Sequence, residues 1–140
     1  MPNFPSHRKL SDHIFMEIAG VEYEDFEEGH VFEHRPGRTI TAEENRLHTL
    51  RSADLSMRNA DSIFNAQVHG GEEVINETLV LSVVTAMTTK TFNKVVANLG
   101  WKQIQLPNPV RAGDTIYAES EVLGKRESQT RPTQGVLHII

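Results

Sequence analysis

The stretch NLGWKQIQLPNPVRAGDTIYAESEVLGKRESQTRPTQ, residues 98–134, decides the fold. Pro107 and Pro109 exclude a central strand or a helix between them, because proline lacks the backbone donor that either would need. Arg111-Ala112-Gly113-Asp114 has the residue types of a tight turn and opens the alternating run Thr115-Ile116-Tyr117-Ala118-Glu119-Ser120-Glu121-Val122-Leu123. Two strands are therefore expected, over 95–106 and 115–127, hinged at that turn. A third is expected over 135–140, where Gly135-Val136-Leu137-His138-Ile139-Ile140 ends in mid-pattern.

Working outward, the longest apolar segment is Leu79-Val80-Leu81-Ser82-Val83-Val84-Thr85-Ala86-Met87, preceded by Asn76-Glu77-Thr78. Wound as a helix, its apolar residues take nearly the whole circumference, which demands burial on most sides. The β-branched Val80, Val83 and Val84 leave a strand open. Length and a cap at Asn76 favour a helix over 76–92, burying Leu79, Leu81, Val83, Val84 and Met87. Thr41-Ala42-Glu43-Glu44 has the form of a capping box, and Leu47, Leu50 and Leu55 continue a helical pattern behind it. Residues 30–41 alternate as a first strand, with a bend expected at Pro36-Gly37, and residues 54–71 read as a loop-rich excursion. Residues 1–22 read as an N-terminal extension and 23–140 as a single domain. A strand, a long buried helix and then consecutive strands make an α+β fold, an antiparallel meander packed on one helix.

Composition narrows the function. The 140 residues carry a net charge of −5, with 38% hydrophobic and 24% charged residues, which argues against broad nucleic-acid binding. No apolar run approaches the length of a membrane span, and the first residues have no apolar signal core, so a cytoplasmic protein is expected. The absence of cysteine removes disulfides, thiolate nucleophiles and Cys-based zinc sites, and fits a reducing compartment. His30 and His34 share a strand face but stand too far apart for one metal, and none is expected.

The succession of a strand, PxPV, a turn closed by GDT, the strand IYAESEV, then RES and RPxxG resembles the MaoC-type dehydratases, as does the YxDFxxG pattern of Tyr23, Asp25, Phe26 and Gly29. These are hotdog-fold hydratases of coenzyme A thioesters. The wording is nearest their branch acting on mesaconyl-, itaconyl- or methylmalyl-type substrates. The resemblance implies an antiparallel sheet wrapped around the central helix, an acyl-CoA substrate with no separate cofactor, and a homodimer or higher homo-oligomer. The family pattern continues past residue 140 into one more strand, so the sheet is expected to be one strand short. Lys125, Arg126 and Arg131 offer a basic cluster for CoA phosphates.

The resemblance also implies a D-x(4)-H motif, with Asn allowed for the Asp, before the central helix. Its acid and imidazole hold the water that adds to the enoyl bond, while amides at the helix start stabilise the enolate oxygen. Two registers fit this chain. Spacing back from Asn76 puts the acid at Asp54 and the imidazole position at Asn59. The local pattern Asn59-Ala60-Asp61-Ser62-Ile63-Phe64 instead puts Asn59 at the acid and Phe64 at the imidazole. Neither supplies a histidine, and an asparagine orients a water without taking its proton. His69 and His48 are candidate substitutes. Asp61 is either a site-lining acid or a helix cap, and Glu77 either a favourable first-turn carboxylate or an acid facing the site. Asn76, Glu77, Thr78, Asp61 and Phe64 complete the expected substrate-binding set around the catalytic candidates Asp54, Asn59 and His69.

Three functions follow: a hydratase of short branched or carboxylated enoyl-CoA, a non-catalytic hotdog subunit that binds acyl-CoA or pairs with an active partner, and a hotdog thioesterase.

Overall fold

Thr41 and Asn76, the two capping residues read from the sequence, each start a helix. The computed structural model describes residues 6–140. Among them run β1 (His7–Ser11), β2 (Ile14–Glu17), a 3-10 turn (Tyr23–Asp25), β3 (Val31–Thr39), α1 (Ala42–Arg51), α2 (Met57–Ala60), α3 (Ser62–His69), α4 (Glu77–Thr88), β4 (Thr115–Glu127) and β5 (Gly135–Ile139). β1 and β2 form an antiparallel hairpin, and the second sheet has the order β3-β4-β5. Residues 1–5 of the expected N-terminal extension lie outside the described residues.

The chain divides into two compact units. One comprises Arg35–Met87 and Leu99–Ala118. Its core is Ile40, Ile75, Val80 and Val83, with Leu79, Val84, Met87, Val110 and Ile116 packed against them. Ile40 pairs with the turn before β4: its amide donates to Asp114 O at 3.0 Å, and Gly113 N donates back to Ile40 O at 2.8 Å. The turn is locked by Asp114, whose Oδ2 accepts from Arg111 N at 2.8 Å. The antiparallel register places Gly37 against Tyr117, where a Cβ would stand 2.5 Å from the ring. β3 runs through Pro36-Gly37 as one strand, with a cis peptide between Arg35 and Pro36. Glycine is there to admit the tyrosine.

The other unit comprises Thr88–Asn98, Glu119–Ile140 and the described residues up to His34. Phe26 stacks on Phe92 at 5.5 Å, and Phe32 meets both rings edge-on. Val122 is fully buried, and β5 pairs with β4 from Glu127↔Gly135 to Val122↔Ile139, as expected for the last strand.

Four expectations are corrected. The central helix is Glu77–Thr88, twelve residues rather than the span 76–92, because Asn76 acts as its cap and the carbonyls of Lys90 and Thr91 are taken by Gly20 N and Val21 N. Residues 95–106 form no strand; Val96, Leu99 and Trp101 are exposed, since no described strand offers their backbone a partner. The capping box of α1 is present in full, but the helix ends at Arg51, short of Leu55 in the expected pattern, and its buried residues are Asn45 and Thr49. Residues 54–71 are not a loop-rich excursion, for Asp61 caps α3 by accepting from Ile63 N and Phe64 N, both at 3.0 Å.

Candidate active site at the start of helix α4

The polar face of α1 explains how the start of α4 is held. Asn45 is buried, with its Nδ2 donating to Val74 O at 3.3 Å and its Oδ1 accepting from Asn76 N at 2.8 Å. The side chain clamps the extended run from Val74 into the helix. Ile75 N donates to Val110 O at 2.8 Å on the opposite side, so the PxPV segment and α1 fix Asn76 between them.

Asn76 then joins three groups. Its Oδ1 accepts from Thr78 N at 2.9 Å and from Thr78 Oγ1 at 2.6 Å, and its Nδ2 donates to Asp54 Oδ2 at 2.6 Å. The same Asp54 oxygen accepts from Asn59 Nδ2 at 2.8 Å, while Oδ1 accepts from Ser56 N at 2.9 Å. The Asn59 amide, then the Ser56 groups and Asn76, hold the Asp54 carboxyl below its ordinary value. Asp54 is therefore a carboxylate at neutral pH, held by four donors: the Ser56 amide, the Ser56 side chain, Asn59 and Asn76.

A helix start leaves its first amides without intrahelical acceptors. Here Asn45 takes Asn76 N, while Asn76 takes Thr78 N with its side chain and Leu79 N with its carbonyl at 3.0 Å. No described residue accepts from Glu77 N, which leaves that amide able to meet an anionic oxygen.

Beside this cap lies a cleft of about 320 Å³. Val74, Ile75, Glu77 and Val80 line it together with Arg58 and the run from Leu106 to Val110. Glu77 Oε1 accepts from Arg58 Nη1 at 2.9 Å, so the first-turn carboxylate is ion-paired. His48 Nε2 lies 2.7 Å from Thr78 Oγ1, which brings an imidazole to the helix start from α1.

The structure thus assembles Asp54, Asn59, Asn76 and Thr78 within one chain, with Glu77 adjoining. Asp61 caps α3. Phe64 and His69 lie on α3, their rings 6.3 Å apart. Asn45 and Arg58 went unread in the sequence; the one legible signal was Asn45 sitting one residue behind the capping box. Of the basic cluster, Lys125 Nζ donates to Glu24 O at 3.1 Å and lies over the Tyr23 ring, and Arg131 Nη1 donates to Gln134 Oε1 at 3.4 Å. His30 and His34 do not converge: His30, just before β3, sits beside Glu27, and His34 Nε2 on β3 lies 2.9 Å from Ser120 Oγ.

A MaoC like domain matches residues 25–139. The chain belongs to the MaoC-like dehydratase family. It is 31% identical over 112 residues to the mesaconyl-CoA hydratase of Cereibacter sphaeroides, covering 79% of this chain and 32% of that protein. This MaoC-like chain therefore spans about a third of that relative's length. Among solved structures it resembles the monoamine oxidase regulatory protein of Archaeoglobus fulgidus, with a TM-score of 0.72 and 25% identity over 86% of this chain and 80% of that one. The MaoC-like dehydratase of Rhodospirillum rubrum shares the fold at a TM-score of 0.71 and 18% identity, over 86% and 82%. The α+β hotdog architecture, an antiparallel sheet with a central helix, is common to them. No described helix is long and apolar enough to cross a membrane.

Proposed function

We propose that this MaoC-like domain hydrates or dehydrates a short, branched or carboxylated enoyl-CoA, of the kind in its relative's name. The observation that carries the reading is the Asp54 carboxylate, tied to the cap of the central helix through Asn76 and beside Asn59. In the hydration direction, the water oxygen bonds to the β-carbon while the π pair moves onto the thioester as an enolate. A proton then joins the α-carbon, so one water is added with no change of oxidation state. Asp54 orients the water in exchange for one of its present donors, takes its proton and returns it to the α-carbon. Glu77 N donates to the enolate oxygen. Coenzyme A enters only as part of the substrate.

Asn59 limits the rate. With an amide where the family carries imidazole, and with Asp54 held below its ordinary value, proton transfer loses about 10²- to 10⁴-fold. That same Asn59–Asp54 bond favours a second reading, a non-catalytic subunit that binds acyl-CoA beside an active partner. We place the working unit as a homodimer or higher homo-oligomer in the cytoplasm. The exposed apolar residues between Val95 and Leu106 support the first part, and the cysteine-free sequence supports the second.

A screen of small enoyl-CoA thioesters against purified protein, following loss of the enoyl absorbance and release of free thiol together, separates the readings. Hydration without thiol release supports the first. Binding with neither reaction supports the non-catalytic subunit, and thiol release alone would make the protein a thioesterase.

A further inference from the structure

Most residues that line the cleft beside α4 are apolar, and among the described residues its charged lining is Arg58 and Glu77. Both are partly open to solvent, at 39% and 48% side-chain exposure, and they meet at 2.9 Å. Arg58 lies on α2 immediately before Asn59, whose amide holds Asp54, so the guanidinium belongs to the segment that carries the candidate carboxylate. A guanidinium presents a planar fork that matches a carboxylate better than any other side chain. An ion pair this open to water is weak, and one carboxylate exchanges for another at little cost.

Resting on the acyl-CoA reading above, we infer that Arg58 selects thioesters whose acyl group ends in a carboxylate, which takes the place of Glu77 on the guanidinium. A cleft of about 320 Å³ suits a short acyl group rather than a nucleotide. Its valine, isoleucine, leucine and proline side chains take the carbon chain and methyl branch, and Arg58 takes the charged end. Displaced Glu77 stays in the first turn of α4, where the helix dipole favours a negative charge. A neutral acyl group leaves the pair intact and gains nothing from Arg58.

The test is calorimetric titration of the whole chain with mesaconyl-CoA and with tiglyl-CoA, in which a methyl group replaces the carboxylate. The parent should prefer mesaconyl-CoA. Arg58→Gln should weaken mesaconyl-CoA by about 10- to 100-fold and leave tiglyl-CoA within about twofold, erasing the preference. Glu77→Gln should act in the opposite sense and tighten mesaconyl-CoA, because the competing carboxylate is gone. Circular dichroism and an unchanged tiglyl-CoA affinity verify that each variant is folded. Equal loss of both ligands in Arg58→Gln, or no loss of either, overturns the role of Arg58 while leaving the acyl-CoA reading in place. A parent that binds neither thioester overturns both.

Discussion

His48 Nε2 lies 2.7 Å from Thr78 Oγ1, and the single hydroxyl hydrogen of Thr78 is already committed to Asn76 Oδ1, 2.6 Å away. Asn76 cannot be turned round, because its Nδ2 faces the Asp54 carboxylate, which only accepts. His48 must therefore donate, and the proton of its neutral ring sits on Nε2. Four side chains, Asp54, Asn76, Thr78 and His48, form one directed hydrogen-bond chain ending in a ring whose Nδ1 carries the lone pair.

Long-range nitrogen–proton NMR of the histidine rings should find His48 in the Nε2–H form, and Thr78→Val should abolish that bias. A dominant Nδ1–H form in the parent would break the chain at Thr78.

Asn76 is the junction of the site, so its replacement should be costly. Asn76→Ala removes the cap of Thr78 N and a buried set of polar contacts, and urea unfolding should show a loss of about 2–3 kcal/mol. Asn76→Asp keeps the cap but sets a second carboxylate against Asp54. Two such groups hold a proton between them, which raises an apparent pKa, so this variant should be relatively more stable in mild acid than at neutral pH. A neutral-pH stability equal to the parent's would mean that Asn76 and Asp54 do not share the bond seen here.

Asp54 gives a pH dependence with a definite sign. Its folded-state value lies below the ordinary 3.8, so its contribution to stability is complete above that value and is lost as the pH falls through the depressed one. Asn59→Ala removes the largest cause, and the Asp54 value should move up toward 3.8. The stability gap between parent and variant should then be wider at pH 6 than at pH 3. NMR titration of the Asp54 carboxyl checks the shift directly, and an unmoved titration would remove Asn59 as its cause.

Much of this was legible before the structure. The box at Thr41, the cap at Asn76 and the alternation of β4 rest on local chemistry, and each appears where the residues put it. Family-like spacing counted back from Asn76, which came from the resemblance, put Asp54 and Asn59 near the cap, and their side chains bond there. What failed needed partners the sequence does not display. Residues 95–106 alternate, but a strand exists only where another strand takes its hydrogen bonds. The helical pattern of Leu47, Leu50 and Leu55 gave no sign of which face is buried; the start of α4 and its preceding chain demanded polar satisfaction, and Asn45 was buried to supply it. Arg58 became visible only once the cleft showed Glu77 opposite.

The central claim is that Asp54, on the cap of α4, is the carboxylate of a hydratase site lacking its imidazole. It is tested most directly by the rate at which the Asn59→His variant hydrates mesaconyl-CoA, relative to the parent. An imidazole at residue 59 restores a titratable base beside Asp54, and the rate should rise by about 10²- to 10⁴-fold. No rise in a folded variant that still binds the thioester, or a rise from Phe64→His instead, would contradict the claim.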